Sequence, residues 1–225
     1  MNIPTVIISL QDGTFERWDK DTQKKALSLE KEVNDTYSAH VFELITTRNL
    51  VSKVPEYLFN DENIVFKDES GEVLNGLIHI CSTTDQWKDL PSRLITEKNL
   101  LVQNFLGNTP VHEAASYGSY NLIRENLDSL SERILISVNK DNDTALELIL
   151  SPKAGRNTDR PPLVDKEVIL PKLLKKFKPE SLKSFYKNKI KDNPLIDPED
   201  KDIFKRHIAI PKIKRLTQEE QSLDI

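Results

Sequence analysis

The sequence predicts a mainly α-helical chain organised around a short repeat. Two segments align at a spacing of 33 residues, so that His79 in NGLIHICS falls on His112 in NTPVHEAAS. A third segment, DTALELIL, follows with Thr144 placed 35 residues after Thr109. The segment before each of the three also corresponds, running from an apolar pair through a polar turn into the unit. A period of this length indicates helical units that stack on one another.

The first 70 residues are predicted to form a β-hairpin followed by helices. The segment TVIISLQDGTFERW alternates apolar residues around Asp12 and Gly13, a pair that tolerates the positive φ of a tight hairpin turn. Helices are then expected from Asp21 onward, at 37–46 and at 50–58. The polar stretch 59–73 predicts a loop or a short hairpin. This N-terminal region is interpreted as a cap on the repeats or as a further, divergent unit.

The segment GNTPVHEAASYG at 107–118 carries the most specific pattern in the chain. A period of about 33 residues combined with the pattern T-P-x-H-x-A-A-x-x-G is typical of ankyrin repeats. Residues 107–139 therefore resemble one well-formed ankyrin repeat. The resemblance implies a stack of such units, with a mainly α-helical fold.

The neighbouring units match this pattern less well. In a degenerate unit at about 72–106, Gly76 and Leu77 replace the Thr-Pro pair. In a truncated unit at about 140–177, Glu147 stands at the histidine position. The predicted organisation is 1–70 for the N-terminal segment, 71–177 for the ankyrin-like repeats, and 178–225 for a basic helical extension with a polar tail.

The resemblance implies a structural role for each residue of the central pattern. Thr109 and Pro110 would start the first helix of the unit, because proline preorganises the first turn and the hydroxyl caps free N–H groups. His112 would hydrogen-bond that same turn, and Gly118 would supply the left-handed conformation that ends the helix. The alanines at 114–115 would leave room for a second helix. On this interpretation His112 is scaffolding rather than a catalytic group.

The resemblance also implies a concave protein-binding face made of projecting turns and inner helices. The contact positions of the family fall on Phe105, Leu106, Asn108, Ser116 and Tyr117 in the middle unit and on Lys140, Asp141 and Asp143 in the third. In the first unit they fall on Glu72, Val73, Asn75, Thr83 and Thr84. Phe105 and Leu106 form an apolar pair where a turn tip normally carries polar residues. They are expected either to anchor a partner or to cover the degenerate first unit.

The C-terminal part of the chain has a different charge from the rest. Residues 1–165 carry a net charge of −9, whereas residues 166–225 carry +5, with nine lysines between Lys166 and Lys191. Apolar residues recur at helical spacing beneath these lysines, and arginine is absent from the run, so a solvated helix face is favoured over a phosphate-binding one. Neither nucleic acid nor a membrane is an expected partner.

The residue types that carry most enzyme chemistry are sparse. A single cysteine, Cys81, rules out an internal disulfide and a Cys-rich zinc site, and it occupies a position where a small core residue is wanted. Six glycines and the absence of nucleotide-binding or hydrolase motifs argue against a bound nucleotide or a known nucleophile loop. We predict neither a cofactor nor a metal, and no catalytic residue.

Two functions are therefore compared. The favoured one is a non-enzymatic protein that binds a partner protein through the repeat face, as an adaptor, an inhibitor or a secreted effector. The alternative is an enzyme or protein-modifying effector whose active site lies outside the repeats, in 1–70 or 166–225, and which uses the repeats to position a protein substrate. No cleaved secretory signal is expected, which indicates a cytoplasmic protein. The glutamate pair at 219–220, shortly before the hydrophobic C-terminal residue, resembles the export signals of bacterial type IV secretion effectors, and delivery into a host cell is the second expectation.

Overall fold

The fold is mainly helical. A computed structural model of the chain describes residues 3–27, 44–61, 64–65, 76–151 and 165–209. Within these ranges the backbone forms α-helices, 3₁₀ turns and one π-helical turn, and the only β-type pairing is an isolated antiparallel bridge between Val138 and Thr144. None of the described helices is long and apolar enough to cross a membrane.

The N-terminal segment begins with a helix, so the predicted hairpin is wrong. Helix α1 spans Ile3–Asp12, and Gly13 ends it in the left-handed region at φ 76°. Val6, Ile7 and Leu10 are all buried, which is the pattern of one helix face. A short apolar run fits a strand and a helix equally well by spacing, and tertiary burial decides between them. Positive φ at Gly13 was expected, but it terminates a helix instead of reversing a hairpin.

The first of the helices expected next is present, the second lies mostly outside the described residues, and the third is replaced by 3₁₀ turns. Helix α2 spans Lys20–Ala26, and its N-cap is Asp19. Most of the helix predicted at 37–46 lies outside the described residues, which resume with helical backbone at 44–47. The helix predicted at 50–58 is wrong. Its residues form two 3₁₀ turns that meet at Pro55, because proline lacks the N–H group that a continuous helix needs and restricts the residue before it.

The middle of the chain contains three helices packed side by side. They are α3 (Leu77–Ser82), α5 (Pro110–Tyr117) and α8 (Ala145–Leu150), and α5 lies between the other two. Shorter elements follow each: a 3₁₀ turn at Asp85–Asp89 and α4 (Glu97–Leu100) after α3, then α6 (Asn121–Glu125) and α7 (Glu132–Ile136) after α5. Ala114 and Ala115 are completely buried, and their small side chains let the helices approach closely.

The last described segment, 165–209, is helical as predicted. It contains α9 (Lys166–Leu174), α10 (Pro179–Phe185), a π-helical turn at Tyr186–Ile190, and α11 at 198–209. Phe185 lies between Phe177 and Phe204, with ring centroids 5.7 and 6.4 Å away. Buried apolar side chains from α1 to α11 form one continuous core.

Candidate protein-binding surface

A tight turn at 104–108 projects ahead of helix α5. The Oδ1 atom of Asn104 accepts hydrogen bonds from the backbone N–H groups of Leu106 and Asn108, at 3.0 and 2.9 Å. The Asn104 N–H group donates to the Asn108 carbonyl at 2.9 Å. Gly107 adopts φ 74°, which closes the turn in a conformation that favours glycine. One asparagine side chain therefore holds the whole loop from within.

The turn at 139–143, ahead of helix α8, is built in the same way. Asn139 Oδ1 accepts hydrogen bonds from the N–H groups of Asp141 and Asp143, at 3.0 and 2.9 Å. The Asn139 N–H group donates to the Asp143 carbonyl at 3.0 Å, and Asn142 takes the left-handed conformation at φ 64°. Asn139 follows Asn104 by 35 positions, so the two turns are copies of one local structure at the spacing found in the sequence.

The helix after each turn begins with a capping box. Thr109 caps α5 by accepting from the N–H group of His112, and His112 Nδ1 accepts in return from the Thr109 N–H group at 3.2 Å. Thr144 and Glu147 form the equivalent pair at the start of α8. Gly118 ends α5 in the left-handed conformation at φ 72°. The expected roles of Thr109, His112 and Gly118 are thus confirmed.

Histidine side chains link each unit to the next turn. His112 Nε2 lies 3.2 Å from the carbonyl of Asp143, and His79 Nε2 lies 3.1 Å from the carbonyl of Asn108. Because a carbonyl oxygen only accepts, Nε2 carries the proton in both rings. Asp143 and Asn108 each immediately precede the capping threonine of their unit, so the two histidines make the same contact one unit apart.

The two turns are also bonded directly to each other. The Lys140 N–H group donates to the Leu106 carbonyl at 3.0 Å, and Asn139 Nδ2 donates to Asn108 Oδ1 at 2.9 Å. These bonds fix the second turn against the first. A backbone bond and a side-chain bond together leave little freedom for either tip.

Burial makes His79, His112 and Cys81 unreactive as acids, bases or nucleophiles near neutral pH. Burial lowers the pKa of His79 and of His112 to about 4, because the charged ring is disfavoured away from water. Burial likewise raises the pKa of the Cys81 thiol far above its ordinary value. Near neutral pH all three groups are uncharged, and Cys81 is fully enclosed. These properties suit a scaffold and not a nucleophile or a general base.

The first unit departs from the pattern for a steric reason. Gly76 occupies the position of Thr109, and a Cβ atom there would lie 2.5 Å from the carbonyl oxygen of Ile64. A threonine cap is therefore impossible without moving the backbone at 64–65. His79 Nδ1, which corresponds to the capping nitrogen of His112, has no hydrogen-bond partner in the described part of the chain.

Glu113 is a buried residue to which the sequence analysis assigned no role. Its Oε1 atom accepts hydrogen bonds from Asn104 Nδ2 at 2.8 Å and from Asn108 Nδ2 at 2.9 Å. The carboxylate thus ties the turn at 104–108 to helix α5. Asn104 and Asn139 were also missed, although the sequence holds a signal for them. Each stands five residues before the capping threonine of its unit.

The predicted contact residues of the middle unit divide by exposure. Tyr117 is 56% exposed and Phe105 is 42% exposed, whereas Leu106 is half-buried. Asn108 and Ser116 are buried, and Asn108 belongs to the Glu113 network. Only the first three side chains therefore present apolar surface to solvent in the free chain.

The predicted contact residues of the other units lie partly on the same turns. Lys140 and Asp141 are exposed at the second turn, and Asp143 is half-buried. Beside them Val138 is 44% exposed, an apolar neighbour that the sequence analysis did not single out. In the first unit, Thr83 and Thr84 are half-buried, and the other predicted positions, Glu72, Val73 and Asn75, lie outside the described residues.

Lys189 lies beside the turn at 139–143, on the side where a further repeat unit would otherwise pack. Its Nζ atom donates to the Asn142 carbonyl at 2.8 Å and lies 3.6 Å from Glu147 Oε2. Glu147 stands where the other two units carry histidine, and it is 6% exposed. The C-terminal segment therefore places a cation at the last turn, beside the buried carboxylate that caps α8 together with Thr144.

Replacing Lys189 with methionine is expected to lower the free energy of unfolding by about 1–2 kcal/mol, because Glu147 loses its cation and the Asn142 carbonyl loses its donor. Lys187→Met is the matched control, since Lys187 is exposed and lies in the same π-helical turn. Urea denaturation of both variants measures the difference. Equal stabilities would show that the contact at Lys189 does not hold the last turn.

A separate groove of about 810 Å³ lies in the N-terminal region. It is lined by residues between Glu16 and Gln23 and by the segments 52–57 and 88–92. The Asp19 carboxylate in this groove accepts hydrogen bonds from the Thr22 side chain and backbone, and these bonds lower the pKa of Asp19. Asp19 is thus committed to capping α2. The enzymatic alternative allows an active site at 1–70 or 166–225, and one placed in this groove would have to use other groups.

Comparisons with protein-family models, with curated proteins and with solved structures found no match. The repeat is therefore defined by features internal to this chain. These are the two copied turns, the two capping boxes and the histidines that reach the next turn.

Proposed function

We propose that this chain is a non-enzymatic, ankyrin-type repeat protein that binds a partner protein through its turn-tip surface. That surface consists of the exposed parts of the turns at 104–108 and 139–143 together with Tyr117 on α5. The observation that carries the proposal is the bonding of one turn to the next, through Lys140 N–H and the Leu106 carbonyl. Projecting loops held in this way are typical of repeat stacks that bind proteins.

The energetic argument rests on rigidity and on exposed aromatic area. Each tip is fixed by an internal asparagine, so little conformational entropy is lost when a partner binds. Phe105 and Tyr117 supply large apolar side chains that are largely accessible in the free chain. Aromatic anchors surrounded by polar residues account for most of the binding energy in protein interfaces.

The remaining predicted residues have supporting roles in this proposal. Lys140 and Asp141 are exposed and form a charged rim beside the apolar tip, which contributes more to specificity than to affinity. Asn108 and Ser116 are buried, and Asn108 acts through its bonds to Glu113 and Asn139. We place the interaction in a cytoplasm, which is that of a host cell if the glutamate pair at 219–220 acts as an export signal.

Site-specific photo-cross-linking tests the proposal. A benzoylphenylalanine placed at Phe105 or at Tyr117 is expected to cross-link the same partner protein, identified by mass spectrometry. Ile8 provides the matched control, because it is 58% exposed on α1 and lies outside the proposed surface. Cross-links to one protein from both positions, and not from position 8, are the expected result. Cross-links from position 8 alone would contradict the assignment of this surface.

A further inference from the structure

A second surface of the chain lies between the start of α9 and helix α11. The two helices border a groove of about 1380 Å³. Val168 and Pro171 contribute apolar surface from α9, and Ile203 contributes it from α11. Val168 is 57% exposed, although Ile169 and Leu170 beside it are buried. The groove therefore has an apolar floor that the described part of the chain leaves open to solvent.

The walls of this groove carry an excess of negative charge. Six carboxylates line it together with three Lys or Arg side chains: Asp165, Glu167, Asp197, Glu199, Asp200 and Asp202, with Lys166, Lys205 and Arg206. Lys166 contacts Asp200 at 2.9 Å and Asp197 at 3.3 Å, and it also donates to the Leu150 carbonyl. Lys205 contacts Asp202 at 2.8 Å. The lysines of the groove are thus already occupied.

Two of the six carboxylates pair with no cation of the described residues, whereas Asp165 lies 4.0 Å from Arg124. Glu167 stands on α9 and Glu199 on α11, and both are exposed. Within the described ranges neither carboxylate forms an ion pair. The groove therefore presents one uncompensated carboxylate on each wall, with the apolar floor formed by Val168 and Pro171.

We propose that this groove is a docking site for a basic segment of a partner protein. An apolar side chain of the segment rests on Val168 and Pro171, and lysine or arginine side chains on either side of it pair with Glu167 and Glu199. The charge of the walls repels acidic segments, and the floor discriminates against segments that are only charged. The site is separate from the turn-tip surface and does not depend on the function proposed for it.

Fluorescence anisotropy with the full chain tests the site. The probe is a labelled ten-residue peptide of alternating leucine and lysine. Charge reversal of both walls, Glu167→Lys with Glu199→Lys, is expected to weaken its binding at least about tenfold. Glu180→Lys is the matched control, because Glu180 is an exposed acid on α10 that does not line the groove. Circular dichroism shows that each variant is folded.

A second pair of measurements tests the apolar floor. Val168→Ser is expected to weaken binding of the leucine-lysine peptide about threefold and to leave a serine-lysine peptide unaffected. Equal binding of the two peptides by the unchanged chain would show that only charge is recognised, which overturns the site. The same conclusion follows if the double charge reversal leaves the affinity unchanged, or if the peptide does not bind below about 100 µM.

The segment IPKIKR at 210–215 of this chain also combines apolar and basic residues. A variant with Lys212→Glu, Lys214→Glu and Arg215→Glu separates the two possible occupants. An affinity for the leucine-lysine peptide equal to that of the unchanged chain supports a partner protein. Binding that becomes more than about threefold tighter in this variant would assign the groove to the chain's own segment and overturn the proposal of a separate partner.

Discussion

Gly107→Ala is expected to lower the free energy of unfolding by about 3 kcal/mol or more. Part of the loss, about 1 kcal/mol, comes from placing alanine at φ 74°. The larger part is steric, because the new Cβ would lie 2.8 Å from the Lys140 backbone nitrogen and 3.1 Å from Asn139 Cα. The second turn would have to move away from the first, which breaks the bond from Lys140 to Leu106.

The chain provides a matched control for this substitution. Gly13 has φ 76°, and no atom of the described residues lies within 4 Å of a Cβ placed there. Gly13→Ala is therefore expected to cost only the conformational part, about 1 kcal/mol. Thermal and urea denaturation of both variants isolate the contact between the turns. If the two substitutions cost the same, the turns at 104–108 and 139–143 are not packed as described.

The free energy of unfolding is expected to fall between pH 6.5 and 5, before most carboxylates begin to be protonated. Burial holds the pKa of His79 and of His112 at about 4 in the folded state, against 6.5 as the ordinary value. The unfolded chain therefore binds more protons than the folded chain between these values, and stability falls as pH falls from 6.5 to 4. At pH 5 the loss is about 2 kcal/mol for each histidine, or about 4 kcal/mol for both.

Single variants assign this pH dependence. His112→Gln is expected to lower stability at pH 7 by about 1–2 kcal/mol through lost buried hydrogen bonds, and to halve the loss between pH 6.5 and 5. His207→Gln is the control, because His207 lies on α11 away from the turns and is half-buried. Urea denaturation at several pH values gives both quantities. An unchanged pH dependence in His112→Gln would show that this ring is not held neutral by the fold.

The central unit was predictable from sequence because its local and tertiary requirements agree. Thr109 caps α5, Pro110 fits its first turn, and Gly118 takes positive φ at its end. Each role follows from backbone chemistry that the residue type alone satisfies. The start of the chain differs, since the apolar run Thr5–Leu10 has no residue that distinguishes a strand from a helix. Its helix is decided by which side chains become buried, which lies outside the local sequence.

Contacts between distant segments account for what the sequence analysis missed at the site. Glu113 was assigned no role from the sequence, and only the fold brings the two amide groups of the turn to its carboxylate. Lys189 belongs to a run that reads as a solvated helix face, yet it bonds a turn 47 residues away. The exposure of Phe105 and Tyr117, by contrast, matches what the positions of a turn tip and a helix end indicate.

The affinity of the cross-linked partner for a set of alanine variants tests the binding surface most directly. Phe105→Ala and Tyr117→Ala are each expected to weaken binding by about 2 kcal/mol or more, roughly thirtyfold, whereas Ile8→Ala leaves it unchanged. The free energy of unfolding of the same variants is expected to change little, because Phe105 is 42% exposed and Tyr117 is 56% exposed. If Phe105→Ala instead costs about 3 kcal/mol in stability and the affinity of the folded fraction is unchanged, Phe105 covers the core and this surface does not bind the partner.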